Sequence, residues 1–234
     1  MKHTLLIKDW LSSFLSLLFP RCCVVCGRPL AKGEECICTV CNINLPRTNY
    51  HLRKDNPVER LFWGQIPLER ATSFFFYEKG SDFRLILHRL KYGGQKDIGA
   101  IMGRYMAAEL LSSHFFQGID VIIPIPLHKK KQQIRGYNQS EWIARGIAAV
   151  TGIPIDTESI LRKKNTETQT RKSVFERRDN VEGIFELQHP ETLAGKHILI
   201  VDDVLTTGST TLACASCLVN VEGIRISILT LATA

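Results

Sequence analysis

The stretch HILIVDDVLTTGST, residues 197–210, constrains the fold more than any other part of the chain. Five residues suited to a buried strand run into two adjacent aspartates, and then into a hydroxyl-rich loop around one glycine. An apolar run without period-2 polarity marks a strand covered on both faces, as in a mostly parallel sheet flanked by helices. Ligands of such sheets sit outside the carboxyl ends of the strands, where this loop falls. Thr206, Thr207, Gly208, Ser209 and Thr210 supply successive backbone N–H groups, a glycine for a tight turn and four hydroxyls. A following helix adds an N-terminus that favours an anion, so the loop reads as a monophosphate cradle. The Gly-x4-Gly-Lys pattern of a Walker loop is absent. Asp202 and Asp203 are acceptor-only carboxylates suited to receive hydrogen bonds from two vicinal hydroxyls. Phosphate on one side and a diol on the other describe a ribose 5-phosphate. The competing reading is an acidic strand end with an incidental turn, as in receiver domains whose aspartates hold magnesium. Such sites do not need the hydroxyl-rich loop.

The rest of the chain fits an α/β class. ATSFFFYE (71–78) and DVIIPIP (120–126) read as strands, as does the closing GIRISILTLATA. Helices are expected over 81–94, 97–113, 138–152 and roughly 208–220, with Asn138 starting the third and Gly152 stopping it. Residues 1–20 read as an amphipathic helix, with Leu6, Trp10, Phe14 and Leu17/Leu18 at helical spacing. Residues 21–46 form a cysteine module, 47–70 a linking segment, and 71–234 the main domain. Lys8 and Asp9 interrupt the N-terminal apolar run, and Trp10 to Phe19 is too short to span a bilayer. No small-residue cleavage site follows, so the expectation is a cytoplasmic protein without membrane insertion.

Net charge is +7, and its distribution is uneven. Lys129 to Arg178 holds twelve Lys/Arg against five Asp/Glu, while the remainder has eighteen of each. Such a surplus suits an anionic partner, a phosphorylated small molecule or nucleic acid; a solvated basic face is the bland alternative.

Six of the eight cysteines lie between positions 22 and 41. Cys23-x2-Cys26 and Cys38-x2-Cys41 can point four thiolates at one tetrahedral zinc, leaving no open coordination position and hence a structural role. Cys22 and Cys36 are spare, so either pair could slip by one residue. A disulfide cluster is the competing reading, which a cytoplasmic setting disfavours. Cys214 and Cys217 fall in a helical stretch and read as a buried structural pair.

ILIVDDVLTTGST also resembles the 5-phosphoribosyl-1-pyrophosphate (PRPP) signature of type I phosphoribosyltransferases. LFPRCCVVCGRPL, LHRLKYGG, PIPLHKKKQQIRGYNQS and TETQTRKSVFERRDNVEGIF resemble the ComF competence family and its GntX-like members, over nearly the whole chain. The resemblance implies a zinc module fused to a phosphoribosyltransferase-like domain, associated with natural transformation or use of external DNA. It implies Mg2+–PRPP as the ligand, held at the ribose by Asp202 and Asp203 and at the phosphate by Thr206–Thr210. Pro124, Lys129, Lys130 and Arg135 would occupy a loop facing pyrophosphate, with Lys91 as a further anion contact. Thr166, Gln169, Arg177 and Asn180 fall where related enzymes carry a lid. Purine-salvage relatives have an aspartate where this chain has Thr206, which argues against ordinary purine salvage and leaves the acceptor unnamed.

Two readings stay open. One is an enzyme transferring phosphoribosyl to a nucleophile with loss of pyrophosphate. The other is a binding protein that engages single-stranded DNA or a competence partner through the basic segment. Its aromatic residues there are sparse: Tyr137, Trp142 and Phe175.

Overall fold

The computed structural model describes residues 20–163 and 183–234. The expected N-terminal helix and the stretch from Thr166 to Asn180 lie outside the described residues. The strands are β1 (Leu68–Phe76), β2 (Val121–Pro124), β3 (Ile160–Arg162), β4 (Phe185–Leu187), β5 (His197–Leu205) and β6 (Arg225–Thr233). The main sheet has the order β1-β6-β5-β2 with every pairing parallel. Strands β3 and β4 pair antiparallel as a separate ribbon.

Ile198, Leu199, Ile200 and Val201 are all fully buried because β5 is covered on both faces. Alternate residues face opposite sides, so Leu199 and Val201 join one apolar cluster while Ile198 and Ile200 join the other. The helices are α1 (Thr39–Ile43), α2 (Pro57–Arg60), α3 (Arg84–Tyr92), α4 (Asp97–Leu110), α5 (Lys129–Arg135), α6 (Gln139–Thr151) and α7 (Ser209–Ser216). Side chains of α3, α4 and α6 build the first cluster; α7 and the β3–β4 ribbon build the second. Helices α4 and α6 cross closely enough that a Cβ on Gly146 would lie 2.1 Å from the Ala100 carbonyl oxygen. Glycine is the residue that permits that approach.

Asn138 caps α6 by accepting from the Ser140 amide, and Gly152 ends it in the left-handed conformation, as expected. The basic stretch read as a loop is instead a helix. His128 caps α5 through the Lys130 amide, and Gly136, at φ +80°, stops it. Lysine, glutamine and arginine are good helix formers, and these two end signals suffice for a short helix.

The cysteine module is packed into the body of the protein. Cys23, Val24, Ile37 and Leu45 share the first cluster with Phe74, Phe75, Met102 and Met106. Arg47 bonds Glu109 at 2.6 Å and lies over the Phe74 ring, and Glu35 pairs with Arg104. Among the described residues no helix is long and apolar enough to cross a membrane.

Candidate functional site

Strand β2 pairs with β5 only as far as Pro124 opposite Val201, so Asp202 is the first residue of β5 beyond its neighbour's end. Pairing with β6 continues, Asp202 opposite Thr230, which carries the strand through the aspartates to Leu205. The acid pair therefore stands within the strand, at the carboxyl edge of the sheet. Asp202 Oδ1 accepts from Ser140 Oγ at 2.9 Å and from the Asp203 amide at 2.8 Å. Asp203 Oδ2 accepts from Gln139 Nε2 at 3.1 Å, and its Oδ1 lies 3.1 Å from Lys91 Nζ. Asp203 is buried and Asp202 half-buried. Burial, and then the charge of Asp203, push the Asp202 carboxyl up to about 7, against the Asp203 amide, Ser140 and Lys91.

The hydroxyl loop is open. Thr206, Thr207 and Thr210 are exposed and Ser209 half-buried, with Thr207 Oγ1 and Ser209 Oγ hydrogen-bonded at 2.9 Å. Gly208 caps α7 at φ +75°, and a Cβ there would meet the Phe62 ring at 3.4 Å. Phe62 is wholly buried. It follows α2, whose start carries a capping box between Asn56 and Glu59. The linking segment thus supports the loop from beneath.

Cations gather near the acid pair. Lys129 and Lys130 are exposed, whereas Lys131 and Arg135, one turn apart on α5, are half-buried. Burial lowers the Lys131 ammonium, and the charges of Arg162, Arg135 and Lys91 lower it further. Arg162, at the end of β3, stacks on Phe185 with 5.3 Å to the ring centroid. Burial lowers its guanidinium and Asp202 opposes the shift. Beside these groups a cleft of about 500 Å³ is lined by Pro124, Pro126, His128, Lys129, Asn138 and Arg162. Sequence reasoning missed Gln139, Ser140, Lys131 and Arg162. Gln139 and Ser140 precede the buried Ile143, Ala144 and Ile147 on α6 by one or two turns, so polar residues on a core-facing stripe were the available signal.

The second centre is a cluster of four cysteines that could hold a metal ion. The sulfurs of Cys23, Cys26, Cys38 and Cys41 lie within 4.8 Å of one another, and Cys26 Sγ to Cys38 Sγ is 3.7 Å. A turn closed by the Gly27 amide on the Cys23 carbonyl presents the first pair. Burial opposes ionisation of Cys23, but the amides of Cys26, Cys38 and Val25 outweigh it and bring the thiol down to about 7. Burial and its sulfur neighbours push Cys41 up. The one-residue slip does not occur. Cys22 Sγ turns to the Pro20 carbonyl, while Cys36 Sγ packs on Met102 Sδ at 3.8 Å, its thiol pushed up to about 12 chiefly by burial. Cys214 is buried in α7, as expected, whereas Cys217, at the helix end, is half-buried rather than buried.

A parallel sheet with an acid pair and a glycine–hydroxyl loop at its carboxyl edge defines a phosphoribosyltransferase-like domain, and residues 139–234 match the phosphoribosyl transferase domain family. The chain is 32% identical over 209 residues to "DNA utilization protein YhgH" of Escherichia coli O157:H7, covering 83% of this chain and 88% of that one. It is 25% identical over 214 residues to "Competence protein ComFC" of Bacillus subtilis (strain 168), covering 89% and 82%. Among solved structures, glutamine PRPP amidotransferase from B. subtilis aligns at TM-score 0.35 and 20% identity, over 58% of this chain and 26% of that one. The chain belongs to the ComF family of competence proteins.

Proposed function

We propose that this protein binds PRPP with Mg2+ at the carboxyl edge of the sheet and serves the use of DNA taken up by the cell. The observation that carries the reading is the placement of the half-buried Asp202 and its partner Asp203 just ahead of the open Thr206–Thr210 turn. The carboxylates would accept from the ribose hydroxyls, and the turn and the start of α7 would hold the 5-phosphate. Mg2+ would arrive on the ligand, coordinated mainly by its oxygens and water. Lys131, Arg135 and Arg162, with Lys129 and Pro124 at the adjoining cleft, supply the side for pyrophosphate. Fixed cations there would stabilise charge on the leaving group as the C1–O bond breaks, which supports transfer to a nucleophile as well as binding. Calorimetric titration with PRPP, with and without Mg2+, tests the reading. One site per chain is expected in the native protein and none in Asp202→Asn/Asp203→Asn; a native protein that takes up no PRPP overturns it.

The four-cysteine centre fits zinc. A tetrahedral Zn–S bond of about 2.3 Å puts sulfurs about 3.8 Å apart, matching the 3.7 Å between Cys26 and Cys38. Zinc would fold the module, in a cytoplasmic setting that keeps thiols reduced. Elemental analysis should return one zinc per chain. Chelation should lower the melting temperature of the whole protein, because the module shares its core with Phe74 and Met102.

A role in holding single-stranded DNA draws on the exposed Lys129 and Lys130 and on the relative named for DNA utilization. Stacking of bases draws nothing from Tyr137, which is buried with its hydroxyl donating to the Leu90 carbonyl at 2.5 Å. Trp142 is flanked by Lys96 and Arg145. Salt-sensitive binding lost on neutralising Lys129–Lys131 and kept in Asp202→Ala would support this role.

A further inference from the structure

Three consecutive polar residues, Asn138, Gln139 and Ser140, are all buried, at 8%, 3% and 4% exposure. Burying one polar side chain needs a compensating partner, and burying three in a row needs a structure built around them. Each is spent on a different part of the site. Asn138 Nδ2 donates to the Ile125 carbonyl at 3.0 Å, while its Oδ1 caps α6. Ile125 is the first residue after β2, and its own amide donates to the Val201 carbonyl at 2.9 Å. Gln139 Nε2 reaches Asp203, and Ser140 Oγ reaches Asp202. The first turn of α6 therefore joins the start of the loop after β2 to both members of the acid pair.

We propose that Gln139 and Ser140 are positioning residues: each fixes one carboxylate of the acid pair for the ligand diol, and Asn138 locks that arrangement to the β2 loop on the cationic side. The proposal rests on the PRPP reading and names residues that do not themselves contact the ligand. Each carboxylate spends part of its accepting capacity on α6, which fixes the direction of the lone pairs left for a ligand. Lys91 cannot do this alone, since it reaches only Asp203 and an ammonium on a flexible stem sets charge more than direction. Ser140 acts on charge as well as geometry. A hydroxyl donated to Asp202 favours its ionised form, against burial and the neighbouring Asp203. Asp202 also feels Lys91 from α3, Arg162 from β3 and the thiol of Cys214 from α7, all unchanged by substitution at 140.

The test is PRPP–Mg2+ affinity of the full chain as a function of pH, for the native protein, Ser140→Ala, Ser140→Thr, Gln139→Ala and, as control, Asp202→Asn. Affinity in the native protein should rise as Asp202 loses its proton, and this component should vanish in Asp202→Asn, leaving only the ligand's own titration. Ser140→Ala should bind about tenfold more weakly at neutral pH, in keeping with one hydrogen bond to a charged acceptor, and its midpoint should move to higher pH. Ser140→Thr, which keeps the hydroxyl, should recover both. Gln139→Ala should bind about tenfold more weakly at all pH values. Uniform weakening in Ser140→Ala with an unmoved midpoint, or no recovery in Ser140→Thr when its melting temperature is native, would overturn the proposal. Native-like affinity in both alanine variants would also overturn it. A native protein that binds no PRPP at any pH would instead defeat the reading beneath it.

Discussion

Asp202 and Asp203 are held by side chains from α3 and α6, whereas Thr206–Thr210, a few residues further along the same segment, keep most of their hydroxyls in solvent. The difference follows from what each half must hold in the absence of ligand. Carboxylates taken out of water are costly unless paired, so the acid half must be assembled in advance. An anion cradle made of backbone amides and a helix start, as proposed for this loop, would need only the right turn, and Gly208 with the Phe62 ring beneath it supplies that turn. One half is built from side chains far apart in sequence, the other from local backbone.

That contrast sets the order of expected damage. Asp203→Asn should be the most severe, because it removes the charge facing Lys91 as well as an acceptor for the diol. A loss of about 3 kcal/mol, roughly a hundredfold in PRPP affinity, is expected by calorimetry. A variant within threefold of the native protein would mean the acid half does not work through charge.

The next effect concerns stability and pH. Asp202 has its folded carboxyl raised from the ordinary 3.8 to about 7. The folded state therefore keeps a proton that the unfolded chain releases near pH 4. Its contribution to stability is fully present below that pH and is lost as pH climbs through about 7. Denaturant titrations from pH 4 to 8 should show this decline in the native protein and a flatter profile in Asp202→Asn. Parallel profiles would mean the raised carboxyl is not there.

Thr207→Ala should be the mildest, within about twofold in affinity, since one exposed hydroxyl contributes little beside several amides. A tenfold loss would show that the cradle depends on side chains after all and erase the contrast.

The same contrast explains what could be read from sequence. Strand β5, the acids and the glycine turn are contiguous, and apolar run, carboxylates and hydroxyls keep their meaning without tertiary context. Asn138 and Gly152 marked the ends of α6 because capping is local chemistry. The partners of the acids were hidden, since Ser140 and Gln139 lie 62 and 64 residues from Asp202 and Asp203. Three successive lysines look alike until α5 sets their phase, which half-buries Lys131 and leaves Lys129 and Lys130 exposed. Phe62 was silent because its value lies in touching Gly208 across the fold. The cysteine spacing narrowed the candidates, and only packing, with Cys36 on Met102, decided which four cysteines gather.

A crystal structure of the protein soaked with PRPP and Mg2+ tests the central claim most directly. The ribose hydroxyls should lie within hydrogen-bonding distance of the Asp202 and Asp203 carboxylates, with the 5-phosphate seated on the amides of residues 206–210. PRPP bound elsewhere, or with its diol turned away from both acids, would contradict the account.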